Sequence, residues 1–212
     1  VNPSALAHGE FLADHFARRL ARHGPTLAAL DWNDTASQLL RFRVLTGIGL
    51  APGDRLLDVG CGLGDLLGYC AARGVAVEYV GIDPVPGMIA AARRRFPGVR
   101  FEAWDLLTVA DGALPAVDYV VMSGLFNERG PDNEAFFRAM VGRAFAACRK
   151  GVAVNRLTDR VEFRAGHLAY SAPAEALAFA LSLTRHVTLR HDYGLYEYSL
   201  YLRRDPMPCA SA

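Results

Sequence analysis

The chain has 212 residues, 52% of them hydrophobic and 21% charged, enough for one domain that buries its own core or one domain with a modest extension. Its 23 Lys and Arg against 22 Asp and Glu leave a formal net charge of +1, which speaks against a polybasic nucleic-acid binder and against an acidic disordered chain. Cys61, Cys70, Cys148 and Cys209 form no CxxC pair and have no histidine cluster at zinc spacing. Reduced thiols, a cytoplasmic location and no metal are therefore expected.

Residues 6–20 carry apolar side chains at three- and four-residue spacing, which predicts an amphipathic helix. Glu10, Asp14, Arg18 and Arg19 interrupt that stretch, so neither a secretory signal nor a membrane span is expected there. Gly24-Pro25 breaks the helix, and Asp34 or Thr35 caps a second over 37–46. From Arg55 onward strand and helix alternate. Strands are predicted at 56–59, 75–82, 99–103, 117–122 and 152–155, with helices at 65–73, 87–96, 133–148 and 173–183. Five apolar strands separated by helices predict an α/β fold, a doubly wound, mostly parallel sheet with helices on both faces. Strands at 187–191 and 196–202 follow. They are joined by Asp192-Tyr193-Gly194, too short for a crossover, so they must run antiparallel.

The most informative stretch is Asp58-Val59-Gly60-Cys61-Gly62-Leu63-Gly64-Asp65, a strand that runs into three glycines and then at once into a helix. Such a turn lets a ligand approach backbone N–H groups with no side chain in the way. The spacing is G-x-G-x-G, and Asp65 stands where the dinucleotide fingerprint has its third glycine. A Walker Lys-Ser/Thr is absent, and Asp58 would repel a pyrophosphate. A cationic ligand would tolerate that carboxylate. Asp83 ends the second strand, where a carboxylate can accept both hydroxyls of a ribose, and Asp105 ends the third.

These three segments, Asp58 to Gly64, Gly81-Ile82-Asp83 and Trp104-Asp105, resemble the cofactor motifs of the class I S-adenosylmethionine-dependent methyltransferases. The resemblance covers about residues 55–202. It implies a seven-stranded sheet of order 3-2-1-4-5-7-6 with strand 7 antiparallel, and S-adenosyl-L-methionine as cofactor. It also implies that Gly60, Cys61 and Gly62 present backbone to the methionine and ribose part, and that Asp58 orients the loop and the amino group. By the same carry-over Asp83 holds the ribose hydroxyls, Pro84 and Met88 pack near the adenine, and Asp105 with the Leu106 backbone meets its edge. Ser123 lines the cofactor. Helices before the sheet often cover the cofactor in this family, which makes Trp32, Gln38 and Arg41 candidates to face it. Cys61 is not expected to act as a nucleophile, and Met88 equally suits a core position.

The acceptor pocket of this fold lies beyond the fourth and fifth strands. The chain lacks the family's Asp/Asn-Pro-Pro-aromatic motif there, which argues against an adenine or glutamine-amide acceptor. Asn127 or Glu128 is expected to face the acceptor, and His167, in a long strand-to-helix connection, is a candidate general base or substrate contact. Asp192-Tyr193-Gly194 reads as a turn rather than a catalytic pair with His191. The expected organisation is an N-terminal helical cap over 1–53, the cofactor-binding core over 54–204 and a tail over 205–212. The expected activity is methyl transfer to a small molecule, by a monomer or homodimer that uses neither nucleic acid nor membrane. The competing readings are an inactive or regulatory cofactor binder and a nicotinamide-dependent oxidoreductase.

Overall fold

The computed structural model describes residues 2–32, 34–110 and 112–206. Helix α1 (Pro3–His23) starts at Asn2, whose side chain accepts from Ser4 N at 2.9 Å, with Pro3 in the first turn. A 3₁₀ turn at Leu27–Leu30 ends on Asp31 in the left-handed region, and α2 (Thr35–Thr46) is capped by Asp34, which accepts from Ser37 N at 2.7 Å. The alternating part supplies β1 (Arg55–Val59), α3 (Asp65–Ala72), β2 (Glu78–Ile82), α4 (Pro86–Arg95), β3 (Arg100–Glu102), β4 (Val117–Met122) and α5 (Asn133–Ala147). It continues through β5 (Cys148–Thr158), β6 (Tyr170–Ser171), α6 (Pro173–Leu183), β7 (His186–Arg190) and β8 (Glu197–Arg203).

The sheet order is β3-β2-β1-β4-β5-β8-β7. The first five run parallel, and β8 runs antiparallel to both β5 and β7. This is the expected doubly wound order with its one reversed strand. Two features differ from the periodicity reading. The fifth strand spans eleven residues rather than 152–155, because β8 pairs with it from Gly151↔Arg203 to Leu157↔Glu197, while β4 takes up its start at Cys148 and β6 its end at Thr158. The two-residue β6 adds a parallel pair to the end of β5, inside the connection expected to be irregular.

Apolar side chains alternate across β1. Leu57 and Val59 join the core under α1, α5 and α6, while Leu56 joins the core under α2, α3 and α4. Helix α2 is built into that second core through Phe42 and Leu45, and Tyr201 Oη donates to Val44 O. Helix α1 crosses the carboxyl ends of the strands and packs on both α4 and α5. No described helix is long and apolar enough to cross a membrane. Most of the expected tail, including Cys209, lies outside the described residues.

Candidate active site

The glycine loop leaves β1 and enters α3 with Gly60, Gly62 and Gly64 at φ of +72°, +51° and +78°. These are left-handed conformations in which a side chain would be strained. Space is tight as well. A Cβ on Gly62 would lie 2.7 Å from Leu30 of the 3₁₀ turn, and one on Gly60 would lie 3.1 Å from Leu125. The N-terminal segment thus lies directly over the loop.

Three carboxyls stand around it. Asp58 is buried and accepts from Tyr79 Oη at 2.5 Å. Burial first, then the charges of Asp83 and Asp65, push its carboxyl up to about 7 against that hydrogen bond. Asp83 accepts from Gly62 N at 3.1 Å and from Val85 N at 2.9 Å, tying β2 to the glycine loop, and burial lifts it to about 6. Asp105 accepts from Leu107 N at 2.8 Å. The thiol of Cys61 is buried, and its acidity is pushed well above the ordinary range by burial and by the charges of Asp58 and Asp83, so it stays protonated.

A cleft of about 750 Å³, counting its open mouth, runs along this loop. Asp58, Gly60, Cys61, Gly62, Asp83, Pro84, Met88 and Ser123 all line it, as do Leu30, Trp32 and Gln38 from the N-terminal segment. Met88 also belongs to a buried cluster with Leu63 and Val85, a core position. Asp105 and Leu106 line a smaller adjoining space of about 350 Å³, beneath Gly9 of α1.

Arg41 requires a correction. It was expected at the cofactor, but it does not line the cleft; Gln38, one turn earlier, does, and donates to Asp65 Oδ2 at 3.1 Å. Arg41 turns instead into a second cavity of about 680 Å³. Its guanidinium lies 4.5 Å over the ring of Trp32, and its Nε donates to Glu197 at 2.8 Å. The reason is tertiary: Glu197 at the start of β8 is fully buried and draws the guanidinium to that side.

The second cavity adjoins the cleft, and Phe16, Leu30, Trp32 and Gly124 line both. Asn127, Glu128 and His167 line it, so the structure brings both expected acceptor contacts to one place. The Oδ1 of Asn127 is buried without a hydrogen-bond partner. His167 sits exposed at the rim. Residues 190–192 line neither cavity, and Arg190 pairs with Asp192 at 2.6 Å, as a turn does. Asp31 and Glu197 carry no signal in the sequence, whereas Asn155 lies in a segment expected to reach the acceptor pocket. Asn155 Oδ1 accepts from Gly124 N at 2.9 Å, which fixes the loop after β4 between the two cavities.

A family model described as a methyltransferase domain matches residues 57–151. Rv1506c of Mycobacterium tuberculosis, provisionally named a methyltransferase, is 41% identical over 157 residues, which span 69% of this chain and 91% of that protein. The chain belongs to the class I S-adenosylmethionine-dependent methyltransferases. The trans-aconitate 2-methyltransferase of Variovorax paradoxus is 31% identical over 155 residues, covering 69% of this methyltransferase and 58% of that one. In fold, the methyltransferase is similar to magnesium protoporphyrin IX methyltransferase of Synechocystis PCC 6803, solved with bound S-adenosylhomocysteine. The TM-score is 0.66 at 14% identity, over 93% of this chain and 100% of that one.

The methyltransferase uses S-adenosylmethionine, and its cleft fits that group. The loop offers backbone N–H groups with no side chain between them. Ser123 Oγ is buried without a partner, and two buried carboxyls suit a ligand that carries an ammonium and a sulfonium.

Proposed function

We propose that this methyltransferase acts on a small-molecule acceptor held in the second cavity. One observation carries the reading: the cavity that holds Asn127 and His167 adjoins the cofactor cleft, with Gly124 and Trp32 in the lining of both. The relatives whose names specify trans-aconitate support an acceptor of that size.

In this reading Gly60, Cys61 and Gly62 give backbone contacts, and Asp58 and Asp83 meet the cofactor's amino group and ribose. Ser123 closes the side toward β4. Pro84 and Met88 flank the adenine, with Asp105 and Leu106 at its edge. The bound cofactor supplies a methyl group on a positively charged sulfur, which departs as a neutral thioether and needs no acid. The work left to the chain is positioning. Asn155 holds the wall between the cavities, Leu30 and Trp32 shield the reaction from water, and Asn127 and His167 contact the acceptor. The near-zero net charge supports an acceptor other than nucleic acid, and the three buried free thiols support a cytoplasmic protein, monomeric or homodimeric.

The test is transfer of labelled methyl from S-adenosylmethionine into a cell extract separated into metabolite, protein and nucleic-acid fractions. Label is expected in the metabolites. Label confined to protein or RNA would overturn the reading.

A further inference from the structure

The second cavity has an unbalanced inventory of hydrogen-bonding groups. Glu128 is only 7% exposed and lines the cavity. Among the described residues no N–H or O–H donor is hydrogen-bonded to its carboxyl. Its carboxyl faces that of Asp31, with their ligating oxygens within 4.8 Å of each other, an arrangement in which two negative charges repel. Asn127 Oδ1, also buried, accepts nothing. The guanidinium that lines the cavity, Arg41, already spends its Nε on Glu197, and Arg19 reaches Asp31 at 2.6 Å from outside the lining. Unmet acceptors therefore converge on a pocket walled by the rings of Phe16 and Trp32. An occupant that completes this site is rich in donors and positively charged.

We infer that the methyl acceptor carries a basic amine, and that Glu128, with Asp31 and Asn127, forms its binding subsite. This rests on the proposed acceptor cavity. An ammonium supplies N–H groups to both carboxylates and to Asn127, and its charge is favoured by the aromatic walls. Its positive charge offsets the repulsion between the two facing carboxyls. An ammonium nitrogen has no free electron pair, so it must lose a proton before it can act as a nucleophile. Glu128 receives that proton: one N–H bond breaks, one O–H bond forms, and a neutral amine and a carboxylic acid remain. Burial and the facing Asp31 lift the Glu128 carboxyl to about 7, which suits it to hold and release a proton near neutral pH. A polycarboxylate such as trans-aconitate would meet two carboxyls and an arginine whose charge Glu197 already offsets, so this cavity does not suit it.

The experiment is saturation-transfer NMR on the full chain with S-adenosylhomocysteine bound, using butylamine, butanol, butyrate and trans-aconitate at millimolar concentration. Butylamine alone is expected to give signal. Its affinity should fall about tenfold or more in Glu128→Gln, and in Asp31→Asn as a second variant, while calorimetric affinity for S-adenosylhomocysteine is unchanged. Preference for butyrate or trans-aconitate, indifference of amine binding to both variants, or no amine signal from the liganded protein would each overturn the inference. So would tight binding of Zn²⁺ or Mn²⁺ that blocks butylamine, since His15 also lies by Asp31 and Glu128, their ligating atoms all within 4.8 Å. Failure to bind S-adenosylhomocysteine would sink the cofactor reading itself and the amine subsite with it.

Discussion

Arg41 of α2 and Glu197 of β8 form a buried ion pair at 2.8 Å across 156 residues of chain, with Glu197 fully enclosed. Tyr193 Oη reaches the other carboxylate oxygen at 3.3 Å. Burial pushes the Glu197 carboxyl up, and Arg41 opposes that shift. The pair fixes Trp32 by the stacked guanidinium and thereby shapes the wall between the two cavities.

Removing one partner leaves the other charged and buried. Arg41→Met and Glu197→Leu should each cost about 3–5 kcal/mol in chemical denaturation, and the double variant should cost less than the sum. Additive losses would show that the two side chains do not act as a pair.

Asp83 should matter more for binding than for folding. Asp83→Asn removes the charge at the end of β2 while keeping the shape, and calorimetry should show S-adenosylhomocysteine bound about tenfold more weakly. Unchanged affinity would remove Asp83 from the cofactor site.

The pH response follows from the same carboxyls. Asp58 titrates near 7 and Asp83 near 6 in the folded protein, above the about 4 of an unfolded carboxyl. The unliganded folded state therefore holds more protons than the unfolded state between about pH 4 and 7. That contribution to stability is fully present below about pH 4 and is lost as pH rises through 6 to 7. Ligand binding has the opposite sign, because the cofactor's ammonium favours ionised carboxyls. Affinity for S-adenosylhomocysteine should weaken as pH drops from 8 to 6, and this dependence should flatten in Asp83→Asn.

Gly62→Ala tests the loop. A methyl group there meets both a left-handed φ and the Leu30 side chain. A stability loss of about 1–2 kcal/mol is expected, together with loss of S-adenosylhomocysteine binding. Gly142→Ala, on α5 where a Cβ meets nothing within 4 Å, is the control and should be neutral or slightly stabilising.

Native thiols should be inert. Burial pushes Cys70 and Cys148 up to about 11 and Cys61 well above its ordinary value. In a Cys209→Ser background, iodoacetamide should label none of the three near neutral pH until guanidinium unfolds the chain. Rapid native labelling of Cys61 would reopen a role for it as a nucleophile.

Much of this was legible along the chain because it is local. The glycine spacing sets a backbone turn, Asp58, Asp83 and Asp105 stand at strand ends, and Asp192-Tyr193-Gly194 allows only a reversal. Each depends on residues a few positions apart, whose conformations are limited by sterics. The parallel sheet and the glycine turn follow from such local signals, while the strand order and the cofactor are what the family resemblance implies. Residues 148–158 were read too short, since a strand's length depends on its partner and not on its own periodicity.

The fold class follows from hydrophobic periodicity and short turns along the chain, and the cofactor from the motifs that resemble the family's. Which side chains face the second cavity is set by long-range packing. Arg41 leaves the cofactor for Glu197, 156 residues away, and Asp31 meets Glu128 across the cavity. The charge that faces a ligand is what remains after such distant groups have paired, and linear spacing carries no record of that pairing.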